Sequence, residues 1–187
     1  MKLLSGLFES FLNHEAREKS IVFSVIFFLL IFPVQLKIFF IFVLACSLLP
    51  SDITHRRIKV MIKLPFTRKH LFFFSYLTGI FIIFVSETIS HGLFSLTMFN
   101  FPKLAMFFTA CFSVSVISAV LQDDNKFFPL IVLIIDFIAG SSVLFPGNNY
   151  ASLSPVYQKN PVISSTFILI VFLSAFFLFV WTRREQW

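Results

Sequence analysis

Charge is scarce in this chain. Only 13% of its 187 residues are Asp, Glu, Lys or Arg, about half the share found in soluble domains, while 58% are hydrophobic and thirty are Phe. The mean hydropathy is +0.92, and no water-soluble fold hides that much apolar surface in so short a chain. The composition excludes most soluble enzymes and nucleic-acid binders, and no nucleic acid is expected as a partner despite the formal charge of +6. Cysteine is equally sparse: Cys46 and Cys111 both lie inside apolar runs, which excludes a disulfide framework and a patterned cysteine metal site. Missing too are a G-x-x-x-x-G-K-[ST] phosphate loop, an HExxH pair and a nucleophile motif. The start lacks the continuous apolar stretch and small-residue cleavage site of a secretory signal. With no internal repeat and no linker, residues 1–187 read as a single transmembrane domain.

What is present is a series of apolar runs near the length of roughly 20 residues that crosses a bilayer. Leu3, Leu4, Leu7, Phe8, Phe11 and Leu12 form one helical stripe, with Lys2, Ser5, Glu9, Ser10 and Asn13 opposite. Residues 1–19 are therefore expected to be an amphipathic interfacial helix, with the polar run His14 to Ser20 turning the chain toward the first span. Ile21 to Leu49, as one helix, would measure roughly 43 Å at about 1.5 Å per residue, longer than a hydrocarbon core of about 30 Å. Two short spans are expected, Ile21–Phe32 and Leu36–Leu49, with Pro33 and Gln35 at a tight bend and Lys37 snorkelling outward. The alternative is one long tilted helix, which leaves five spans. The remaining spans are Leu71–Phe94, Leu104–Leu121, Phe127–Phe145 and Val162–Trp181, giving an all-α, six-span polytopic protein. Placing both termini in the cytoplasm leaves only Lys37, Lys103 and Lys159 outside, as the positive-inside rule requires. Trp181 and Trp187 fit an aromatic belt at the last boundary.

The most basic stretch is residues 51–70. Ser51 or Asp52 is placed to cap a short helix on the inner face, with Ile53, Val60, Met61 and Leu64 on one side and Arg56, Arg57, Lys59 and Lys63 elsewhere. Pro65 stops that helix, and Thr67 is placed to cap the helix that continues as the third span. On charge alone, the segment reads as a holder of anionic membrane lipid, at about 1 kcal/mol per basic residue near the surface.

Leu64 to Leu77, LPFTRKHLFFFSYL, resembles the cytoplasmic motif of type-2 ABC exporter permeases, in which Leu-Pro-x-Ser/Thr-Arg is followed at a fixed distance by Lys-Tyr-Leu. Leu64, Pro65, Thr67, Arg68, Tyr76 and Leu77 fall at the matching spacing, whereas Ser75 stands where that family often carries lysine. The architecture is similar as well: a surface N-terminal helix, six spans, a coupling helix between spans two and three, and the longest external connection, here Pro146 to Pro161, between spans five and six. The resemblance implies a permease subunit of an ATP-driven exporter in a bacterial cytoplasmic membrane. It implies a second permease chain, identical or similar, and separate ABC ATPase subunits that bind the ATP and Mg, no cofactor being held by this chain. Arg56, Arg57, Lys59, Lys63, Leu64, Pro65, Thr67 and Arg68 would form the coupling segment, with Gln122 to Lys126 a smaller contact or simply a solvated turn.

Inside the spans, Glu87, His91 and Asp136 are the costly groups. Glu87 and His91, four apart, share a helix face, and Asp136 lies near the middle of the fifth span. They read either as the lining or gate of a pathway or as buried polar groups that lock helix packing. Cys111, Ser115, Ser118 and Ala119, and likewise Ala139, Gly140 and Ser141, form small-residue faces for close helix approach. The phenylalanines read mostly as lipid-facing bulk, and His14, His55 and His70 as surface groups. Competing classes are a membrane accessory or scaffold protein, an intramembrane enzyme using Glu87, His91 and Asp136, and the substrate-binding subunit of a vitamin importer. The last is disfavoured because the first span lacks an Ala-xxx-Ala face.

Overall fold

Residues Glu15 to Lys19 are strong helix formers with no glycine or proline among them, and the chain stays helical through them. In the computed structural model, which describes residues 2–31, 37–55, 67–94, 101–122, 124, 126–140 and 161–182, the first helix α1 runs unbroken over Lys2–Ile31. The turn expected at His14 to Ser20 is therefore absent, and amphipathic start and first apolar stretch are one element. Phe11 is buried, its ring 5.8 Å from that of Phe74, so this residue of the start packs on protein.

Then follow α2 (Lys37–Ser47), α3 (Leu49–Thr54), α4 (Arg68–Phe94), α5 (Phe101–Gln122), α6 (Phe127–Gly140) and α7 (Pro161–Trp181). All elements among the described residues are α-helices. Four stretches are long and apolar enough to cross a membrane, Lys37–Thr54, Arg68–Leu93, Phe101–Gln122 and Ser164–Trp181, and two shorter apolar helices are Lys19–Ile31 and Phe127–Asp136. These features are those of an integral membrane protein. The Ile21 to Leu49 run folds back on itself, since α1 and α2 are separate helices packed together; one long helix is ruled out. The bend residues Pro33 and Gln35 lie outside the described residues, as do Phe145, the 146–160 connection and Trp187.

The central element is α5, which packs against α2, α3, α4, α6 and α7, while α1 leans on α4 and α2. Its small residues explain the position: Ala110, Cys111, Ser113, Ser115, Ser118 and Ala119 are all buried, and small side chains let helix backbones approach closely in lipid. Cys46 of α2 meets Ser115 there, Sγ to Oγ 3.4 Å. Gly79 of α4 serves the same end, because a Cβ at that position would collide with the Phe108 ring and come within 2.9 Å of Leu48 Cδ1.

The phenylalanines divide between two roles, which corrects the expectation that most face lipid. Phe28, Phe81, Phe127 and Phe167 are exposed on the bundle surface, but Phe72, Phe107, Phe108, Phe112 and Phe179 are fully buried. Phe72 of α4 is the hub, its ring 5.3 to 5.5 Å from those of Phe112, Phe172 and Phe176. Where no hydrophobic force drives helices together, such ring packing is a main source of association.

Candidate functional site

Two ion pairs stand at opposite ends of the bundle. At the end that carries most of the basic residues, α2 breaks at Leu48 and α3 starts with Pro50 in its first turn, where proline has no N–H to continue the ladder. The backbone groups at this break find partners on other helices. Lys19 of α1 donates to the Leu48 carbonyl at 3.4 Å and to Asp52 Oδ2 at 2.9 Å, with Oδ1 at 2.8 Å. Ser75 of α4 accepts the Leu49 N–H at 2.9 Å.

Asp52 is thus buried and paired, and neither it nor Ser51 caps the helix: α3 has no side-chain cap. This corrects the expected capping role and moves the helix start upstream. Beyond exposed His55, Arg56, Arg57, Lys59, Lys63, Leu64 and Pro65 lie outside the described residues, as does the surface helix expected over them. The chain is described again at Thr67, whose hydroxyl accepts the His70 N–H at 3.3 Å and whose carbonyl accepts from Leu71; it caps α4 as expected. Arg68 turns into the bundle and donates to the Phe179 carbonyl at 3.3 Å and to that of Thr182, which satisfies free carbonyls at the end of α7. Tyr76 bonds the Thr109 hydroxyl at 2.9 Å, and Leu77 is exposed. His70 stacks on Phe74, centroids 5.7 Å apart, and is only partly exposed.

The turn before α6 is built by Asp124, whose carboxylate accepts from the N–H groups of Lys126, Phe127 and Phe128 at 2.8 to 3.2 Å. Slight desolvation raises its pKa, but these bonds outweigh that and hold it below the usual carboxylate value. Asp123 lies outside the described residues.

At the opposite end Lys37, the first residue of α2, does not snorkel outward. Its Nζ donates to Glu87 Oε2 at 2.9 Å and to Ser90 Oγ at 3.3 Å. An ammonium so close to the membrane finds a better partner in a carboxylate than in the interface. His91, one turn beyond Glu87, is exposed, so the two do not form one buried site. Asp136 is buried elsewhere, in a small cavity between α5 and α6 lined by Phe107, Ala110, Cys111, Val114, Val132 and Leu133. Glu87, His91 and Asp136 therefore do not converge, and no cluster of three potential metal ligands occurs among the described residues.

Sequence reasoning missed Lys19 and Ser90, gave Asp52 a cap in place of an ion pair, and gave Lys37 the wrong surroundings. A usable signal was present: in alternating spans, Lys19 and Asp52 fall at one end and Lys37 and Glu87 at the other. Comparison with protein-family models, curated proteins and solved structures finds no match.

Proposed function

We propose that the chain is the membrane-spanning permease subunit of an ATP-driven exporter, not itself an enzyme, working with separate ATPase chains and a second permease chain. The motif from Leu64 to Leu77 carries this reading, because it resembles the type-2 exporter motif and lies where a polar connection enters a membrane-length helix. The two shorter apolar helices, added to the four long ones, are compatible with six spans. The basic end is then cytoplasmic, and Arg56, Arg57, Lys59 and Lys63 face the ATPase. α3 joins the Leu48 break to that segment, so a pull on the segment would reach α1 through Asp52 and Lys19 as well as α4 through Thr67.

One observation favours a second reading. Thr67, Arg68 and Tyr76 each hold the bundle's own helices in place, which is also what an accessory or scaffold protein would ask of them. Purification from native membranes separates the two: an exporter half brings an ATP-hydrolysing chain with it in stoichiometric amount, and an accessory protein does not.

A further inference from the structure

Glu87 stands roughly 28 Å along α4 from Arg68 at about 1.5 Å per residue, so it reaches the edge of a hydrocarbon core of about 30 Å. The Lys37 and Glu87 side chains are nearly enclosed, 14% and 5% accessible, and Ile41, one turn deeper on the same face of α2, is completely buried. The pair thus stands one helical turn outward of a fully buried apolar position. Its neighbours make it a link between two elements that otherwise touch little: α2 leans mainly on α5 and α1 and meets α4 along a short contact.

An enclosed ion pair adds little net stability over apolar residues of the same volume, because desolvation offsets the attraction; its best-attested use is to select one arrangement over another. The two ion pairs on the α2–α3 span differ in this respect. Lys19 and Asp52 are more deeply enclosed, 7% and 2% accessible, and are joined to the Leu48 carbonyl. Lys37 and Glu87 are the more accessible pair, 14% and 5%, and among the described residues their side chains are held by Ser90 alone besides each other, so water reaches these ions first if α2 moves away. One end of the span is clamped and the other is fastened by a contact that water can replace.

We infer that the Lys37–Glu87 pair, with Ser90, is a latch that fastens the far end of α2 to α4 and closes that end of the bundle. The latch rests on this geometry; its role as the outer gate for released cargo rests on the exporter reading above.

The test places a cysteine at Ile41 in the full chain carrying Cys46→Ala and Cys111→Ala, and follows its labelling by a membrane-impermeant maleimide in intact cells. With the pair intact, labelling is slow. In Lys37→Met and in Glu87→Gln it rises by about tenfold or more, a tenfold rise in the open population corresponding to about 1.4 kcal/mol of lost latch energy. The exchange Lys37→Glu with Glu87→Lys restores slow labelling. Unchanged rates in the neutralised variants overturn the latch, and so does fast labelling that persists in the exchange. Neutralised variants that fail to fold while the exchange folds indicate a fixed strut and overturn it as well. In the complex with its ATPase, ATP accelerates labelling of the intact pair if the latch is the export gate. Labelling that responds to charge but not to ATP keeps the latch and overturns that role.

Discussion

The hydroxyl of Ser75 accepts the backbone N–H of Leu49 at 2.9 Å, and both residues are buried. A break in a membrane helix is tolerated only where its freed backbone groups are satisfied by protein, and Ser75 does this for the α2–α3 break. Ser75→Ala leaves a buried N–H unpaired and should lower stability by about 1 to 3 kcal/mol, with Ser75→Thr close to wild type. Thermal unfolding in one detergent checks both. A lysine at this position could not accept this bond.

Lys19 and Asp52 act together. Removing either partner leaves a buried charge, so Lys19→Met and Asp52→Leu should each destabilise by about 3 to 5 kcal/mol. The double variant should be milder than the sum, since neither ion then remains. Unfolding of all four proteins, treated as a double-mutant cycle, gives the coupling directly.

Gly79 sets the approach of α4 to α5. A side chain there meets the Phe108 ring, which is fully buried and has no room to swing aside. Gly79→Leu should cost about 1 to 3 kcal/mol by overpacking, and Gly79→Ala less. Pairing Gly79→Ala with Phe108→Leu should recover part of the loss, read as the unfolding midpoint.

Asp124 makes the start of α6 sensitive to acid. Its pKa is lower in the folded chain than in the unfolded one, so its contribution is complete above the unfolded value and is lost as pH falls through the folded one. Wild type should therefore lose stability relative to Asp124→Ala as pH drops below about 4, and near neutrality the variant should be weaker by about 0.5 to 2 kcal/mol. Unfolding midpoints across that pH range measure the difference.

Several features were legible because they are local. Apolar run length marked the helices and the division of the Ile21 to Leu49 run, Thr67 marked the start of α4, and small residues marked the buried face of α5. The partners of charged residues were not legible. Lys37 and Glu87 are fifty positions apart, and periodicity tells which residues share a face without telling which helix that face meets. The same limit hid the ring cluster around Phe72, since a phenylalanine facing lipid and one facing another helix look alike in sequence. The turn expected at His14 to Ser20 failed for a different reason: a charged run of good helix formers continues a helix as readily as it ends one.

The exporter proposal requires the basic segment after α3 to engage an ATPase. The most direct measurement is complex formation and ATP hydrolysis, in lipid, for the wild-type chain and for the double reversal Arg56→Glu with Arg57→Glu. The exporter account predicts that the reversed chain inserts and folds normally but loses the ATPase or the coupled hydrolysis. If no ATPase associates with wild type, or the reversal alters only lipid binding, the account is contradicted.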